Sequence, residues 1–233
     1  MTTDSREPRG SVFLSEFWSG EYGLTLVTIS IIILIFIATP LREAGLPLRV
    51  LCDIIVASLL IAGALAVKQS HVLTLGLVAA VLASAVVLAA GRLYPTAFLH
   101  QLGSGLVTVT LLLYMRVVLM VMFRGGPVTW GRIQGGVCAY LLLGMAWASM
   151  FQLVEQLHPG SFQFVTPPRD LDQLTSKLTY FSFGILTTVG SDISALAPFA
   201  RSLTIAEAVI GQLFPAVFIG ALVSMAMQSR SKA

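Results

Sequence analysis

These 233 residues predict an all-α integral membrane protein, and three features of the sequence carry that expectation. The first is composition: 56% of the residues are hydrophobic and 11% are charged, where a soluble domain carries about 25% charge. Mean hydropathy is +0.88. The second is run length: the apolar stretches approach the ~20 residues a helix needs to cross hydrocarbon and are too long for barrel strands. The third is punctuation, because Gly, Pro and Arg break the stretches into separate helices.

Six spans fall at about 23–39, 50–67, 72–90, 97–123, 133–157 and 202–228. Pro40 stops the first, "KQSH" the second, "GRLYP" the third, "RGGP" the fourth and "HPG" the fifth. An even number of spans puts both termini on one side. With the termini inside, seven Lys and Arg lie in the inner regions and six in the outer ones, so the positive-inside rule does not choose the side. The expected location is the cell inner (plasma) membrane, with cytoplasmic termini. "MTTDSREPRG" carries both signs of charge and does not read as a secretory leader. Phe13 and Phe17, four residues apart in "VFLSEFW", fit either a short interfacial helix or an aromatic anchor on a tail. A net charge of +3 spread over short loops gives no reason to expect nucleic acid. Cys52 and Cys138 lie in apolar runs and read as small buried residues. His71, His100 and His158 are scattered, so no metal site or other cofactor is expected, and no catalytic constellation is visible.

One connection is long. More than forty residues, 158–201, separate the fifth and sixth spans. The first part, "HPGSFQFVTPPRDLDQLTSK", reads as polar loop. The second, "LTYFSFGILTTVGSDI", is too polar to span and too apolar for a surface loop. An apolar half-helix with a polar return is a re-entrant segment, tolerated at membrane depth only beside protein or a water-filled cavity. A helix over 178–187 would be ~15 Å long, half a bilayer, with the negative end of its dipole inside the membrane. Thr187, Thr188, Val189, Gly190 and Ser191 then offer carbonyls and hydroxyls, Gly190 permits a left-handed backbone, and Asp192 adds a carboxylate. Such oxygens suit a dehydrated hard cation.

"TTVGSD" resembles the potassium-channel signature TTVGYGD. "YFSFGILTTVGSDI" and "APFARSLTIAEAVIGQLFPAVFIGALV" are similar to the pore helix, filter and inner helix of bacterial ion channels. "GRIQGGVCAYLLLGMAWASMFQLVEQLHPGSF" resembles the outer helix of the small six-span members. The likeness covers about 131–223. It implies a pore domain at 131–228, preceded by an N-terminal cytoplasmic or interfacial segment (1–22) and four helices (23–130) in the voltage-sensor position, and followed by a tail (229–233). It also implies a homotetramer in membrane lipid, since one filter copy cannot enclose an ion, and passive conduction of K+ and Na+ held at Thr188, Val189 and Gly190. By the same likeness Thr188 is the cavity-side filter threonine and Asp192 the aspartate of the signature. Ser191 stands for either the tyrosine or the second glycine, and one residue is missing. Fewer carbonyl rings imply weakened potassium selectivity.

Further residues carry expectations of their own. Glu207, about one turn into the sixth span, needs a partner and is expected to support the filter through Ser182 or Thr187. Gly211 and Pro215 suggest a gate hinge, with Phe214 and Phe218 narrowing the cavity below. Arg116 is expected to snorkel, because a voltage sensor needs several arginines, and Arg124 and Arg132 are expected in a loop. Tyr140 and Trp147 read as packing. Two competing readings are a channel-like scaffold that no longer conducts and a transporter; the second lacks the paired broken helices such folds use.

Overall fold

The computed structural model describes residues 28–29, 31–40, 71–123 and 129–230. The second expected span with Cys52, and Arg124, lie outside the described residues, as do the N-terminal segment and the last three residues. The described elements are a π-helical turn at Leu34–Ala38, then α1 (His71–Leu93), α2 (Ala97–Met122), α3 (Trp130–Leu157), β1 (Phe162–Gln163), α4 (Leu171–Leu186), β2 (Ser194–Ala195) and α5 (Pro198–Arg230). Among the described residues, four helices (α1, α2, α3 and α5) are long and apolar enough to cross a membrane. They coincide with the third to sixth expected spans. The last two are longer at their N-terminal ends than expected, so that Arg132 lies in the first turn of α3 and not in a loop.

α2 packs on α1 and most extensively on α3. Apolar contact alone gives little preference among helices in lipid, so small residues and polar links matter. Gly135, Gly136, Ala139, Gly144, Ala146 and Ala148 are buried along α3 and let neighbours approach. Ser149 Oγ donates to the Ser104 carbonyl at 3.1 Å, and Gln101 Nε2 to the Gln156 carbonyl at 3.1 Å, tying α2 to α3. One core cluster joins Ile31, Ile35, Leu77, Leu111, Tyr114, Cys138 and Leu142. The other gathers Trp147, Phe151, Phe162, Leu178, Phe181, Leu186 and Ile193 around α4. There Phe151, Phe162 and Phe181 meet edge to face, with ring centroids 5.2–5.5 Å apart.

α4 is the main departure from the expected elements. It has 16 residues, not ten, and begins inside the stretch read as polar loop. The Asp170 carboxylate caps it, accepting from Gln173 N at 2.9 Å, while Gln173 Oε1 reaches back to accept from Arg169 N at 2.9 Å. An Asp followed three residues later by Gln is a helix-start signal, here hidden by the charged residues around it. At helical rise α4 is ~24 Å long.

Candidate functional site

The end of α4 lies at mid-height of two long helices. Tyr140, well inside α3, donates its hydroxyl to the Leu186 carbonyl at 3.1 Å. Gly211 of α5 meets the same carbonyl so closely that a Cβ would overlap it. At ~1.5 Å per residue these contacts lie about 26 Å down α3 from Leu157 and about 20 Å down α5 from Pro198. The chain then returns: Ser194 and Ala195 pair antiparallel with Gln163 and Phe162, just beyond the end of α3. A half-helix descends to mid-depth, and the segment 187–193 climbs back to the side it came from.

The turn at the bottom closes on the helix itself. An α-helix leaves its last four carbonyls without intrahelical partners, and here each finds one. Phe183 O accepts from Thr187 N at 3.0 Å and from Thr187 Oγ1 at 2.6 Å. Gly184 O accepts from Gly190 N at 3.0 Å, Ile185 O from Thr188 N at 3.1 Å, and Leu186 O from the Tyr140 hydroxyl. Two residues adopt left-handed backbone: Gly190 (φ 88°), as its lack of a Cβ allows, and Thr188 (φ 61°). For a β-branched residue that conformation is a true outlier, costing about 1–2 kcal/mol. Contacts on both sides hold it: its N–H on α4, and its Oγ1 accepting from Gln212 Nε2 of α5 at 3.3 Å.

The expected filter residues are therefore contiguous and mostly exposed within the single chain. Thr187, Thr188, Val189 and Asp192 are exposed; Gly190 and Ser191 are partly covered. Ser191 Oγ accepts from Ile193 N at 3.1 Å, stiffening the turn past the filter. The Gly190 oxygen packs against α4 within the chain: it lies beside Gly184, where a Cβ on residue 184 would overlap it. Gly184 makes that approach possible, so the short return segment rests directly on the helix.

Glu207 is fully buried, and it sits more than two turns into α5, deeper than expected, because the helix starts at Pro198. Its Oε1 lies 2.5 Å from Ser182 Oγ, and the Ser182 hydroxyl is 2.8 Å from the Gly144 carbonyl. One serine thus joins α3, α4 and α5 behind the turn, with no contact to Thr187. Glu207 Oε2 has no hydrogen-bond partner among the described residues.

The expected gate residues Phe214 and Phe218 pack toward α3 within the chain. Phe214 and Phe218 stack at 6.2 Å, Phe214 meets the Tyr140 ring at 5.6 Å, and the Phe218 ring fills the space where Gly136 lacks a side chain. Both rings occupy the α3–α5 interface rather than an open cavity, because Gly136 leaves a notch of aromatic size. α5 continues as helix through Gly211 and Pro215. Pro215 has no N–H to offer the Gly211 carbonyl, and Gly211 is in close contact with α4. Arg116 is exposed on α2. Sequence reasoning missed Gln212 and gave Tyr140 only a packing role. A lone amide within an apolar span was the available signal for Gln212.

Comparison with known families supplies an independent observation. Residues 168–228 match a family model described as "Ion channel". The match covers about a quarter of the chain. Its bounds take in α4, the return segment and α5, the three parts that form the mid-depth turn, and begin after α3. No curated protein and no solved structure matches the chain. This match, together with the four apolar helices, supports a membrane protein with a channel-like role in ion conduction.

Proposed function

We propose that the protein is one subunit of a homotetrameric cation channel of potassium-channel-like architecture, conducting passively in the inner (plasma) membrane with both termini cytoplasmic. The observation that carries the reading is the half-helix ending at mid-depth with an exposed TTVGSD turn, inside the ion channel domain. Four such turns around an axis would present the carbonyls of Thr188 and Val189, with the Thr187 and Thr188 hydroxyls on the cavity side and Asp192 at the mouth. With Gly190 turned onto Gly184 and one residue fewer than TTVGYGD, few consecutive oxygen rings remain. Selectivity for potassium over sodium should therefore be weak. Glu207 and Ser182 support the turn from behind, and Gly211 and Pro215 set where α5 meets it.

The reversal potential of purified protein in planar bilayers, under bi-ionic potassium and sodium, tests this. The expected value lies near zero, and replacing Ser191 with Tyr-Gly to give TTVGYGD should move it toward potassium selectivity. The turned Gly190 carbonyl also favours a second reading, a channel-like subunit that does not conduct. Absence of cation flux in proteoliposomes containing intact tetramers would select that reading.

A further inference from the structure

The segment 187–193 is anchored at its lower end by α4 and Gln212, and its upper end is held by a different device. Glu155 lies in the last turn of α3, where the helix dipole disfavours a carboxylate and no basic residue offsets it. Its two oxygens compensate by accepting backbone N–H groups beyond the helix: Oε1 from Gly160 at 2.9 Å and Oε2 from Phe162 at 3.0 Å. Charge-assisted bonds of this kind are the stronger ones. They fix the turn at 158–161, where Gly160 is left-handed (φ 86°) and the Ser161 N–H and hydroxyl both donate to the His158 carbonyl. The Ser161 carbonyl, thus aimed, accepts from Leu196 N at 2.8 Å and Ala197 N at 3.3 Å. Phe162 and Gln163 then pair with Ala195 and Ser194, and Arg201 Nε donates to the Ala195 carbonyl at 3.1 Å from the α5 side. Ser194 is two residues past Asp192.

We infer that Glu155 is a positioning residue for the outer mouth: through the 158–162 turn it sets where Ser194–Ala197, and hence Asp192 and the exit of the return segment, stand. The inference rests on the conduction reading above for its effect on ions, while its structural half stands independently. The strand clip restrains the exit from the α3 side, with Arg201 holding Ala195 from the α5 side, so its loss loosens the segment between Ile193 and Pro198 without unfolding α4.

The test uses the full chain in proteoliposomes, comparing wild type with Glu155→Ala and Glu155→Gln. Two readouts are taken: amide hydrogen exchange and the bi-ionic potassium/sodium reversal potential. For Glu155→Ala, exchange at Leu196 and Ala197, which Glu155 does not touch, should rise about tenfold, with α4 still protected. The permeability ratio should shift in the same variant. Glu155→Gln keeps one acceptor and should fall between, which separates positioning from failure to fold. Faster exchange at Gly160 and Phe162 alone, with Leu196 and Ala197 unchanged, overturns the inference. So does a permeability ratio identical in all three proteins that conduct. A wild-type protein that carries no ions overturns the conduction reading instead, and the exchange pattern then decides for or against the clip.

Discussion

α3 and α5 make an instructive pair. Both are long apolar helices, of 28 and 33 residues, and hydropathy marks both as spans. Yet 61% of the apolar window of α3 is buried within the chain, against 6% for α5. The inward face of α3 sets glycine, alanine and serine among its large apolar side chains, and the small residues bring neighbours into contact. α5 presents Ile205, Val209, Leu213, Val217 and Ile219 with most or much of their surface uncovered. Hydropathy reports that a helix leaves water. Small residues and polar links report whether it meets protein when it does. Two of the close contacts α5 does make follow the same rule: Gly211 admits the end of α4, and Gly136 admits Phe218.

Matched substitutions break this contrast most directly. Phe151 is fully buried in the aromatic trio, so Phe151→Ala should cost about 3–5 kcal/mol. Leu213→Ala, in α5, should change the stability of the dissociated chain by less than about 0.5 kcal/mol. Thermal unfolding in detergent reads both, and a loss from Leu213→Ala seen only in the assembled protein would place the missing neighbour of α5 in another subunit. At the one buried carboxylate of α5, Glu207→Ala removes the partner of Ser182 and should cost about 1–3 kcal/mol, with Glu207→Gln clearly milder because an amide can still bond the serine. Two glycines sharpen the contrast within α5 itself. Gly211→Ala drives a methyl into the Leu186 carbonyl and should cost about 1–3 kcal/mol. Gly220 has open space around it, so Gly220→Ala should be neutral or stabilise by about 0.5–1 kcal/mol. Equal melting shifts for the pair would show that α5 does not approach α4 as described. The smallest effect belongs to Thr188→Gly, where relief of left-handed strain exceeds the entropy a glycine adds by about 0.5 kcal/mol. Its melting point should rise slightly, and its permeability ratio should change because the hydroxyl bonded to Gln212 is gone.

Much of the fold was legible because hydrocarbon imposes a simple length rule. The third to sixth spans appear as helices, with starts shifted by up to four residues, the most in α5, which opens on Pro198. The N-terminus of α4 was misread: polarity argued for loop, while Asp170 and Gln173 were making a cap. The site was legible as a string, TTVGSD between two apolar segments, because a polar turn at membrane depth is costly and stands out. Its contacts were not. That the Gly190 oxygen rests on Gly184, that Phe214 and Phe218 face α3, and that Glu155 braces the mouth all depend on residues far apart in the chain meeting.

Composition and run length thus decided by themselves that this chain is helical and lives in a bilayer, since the cost of bare backbone in hydrocarbon leaves few alternatives. The same reasoning decided that residues 178–193 would interrupt the pattern. Only the tertiary structure decided which way each side chain and carbonyl in that interruption points. A helix repeats every 3.6 residues whatever surrounds it, but the direction of a turn outside regular structure is set by the neighbours it can bond to, here Gly184, Tyr140, Gln212 and the clip anchored on Glu155.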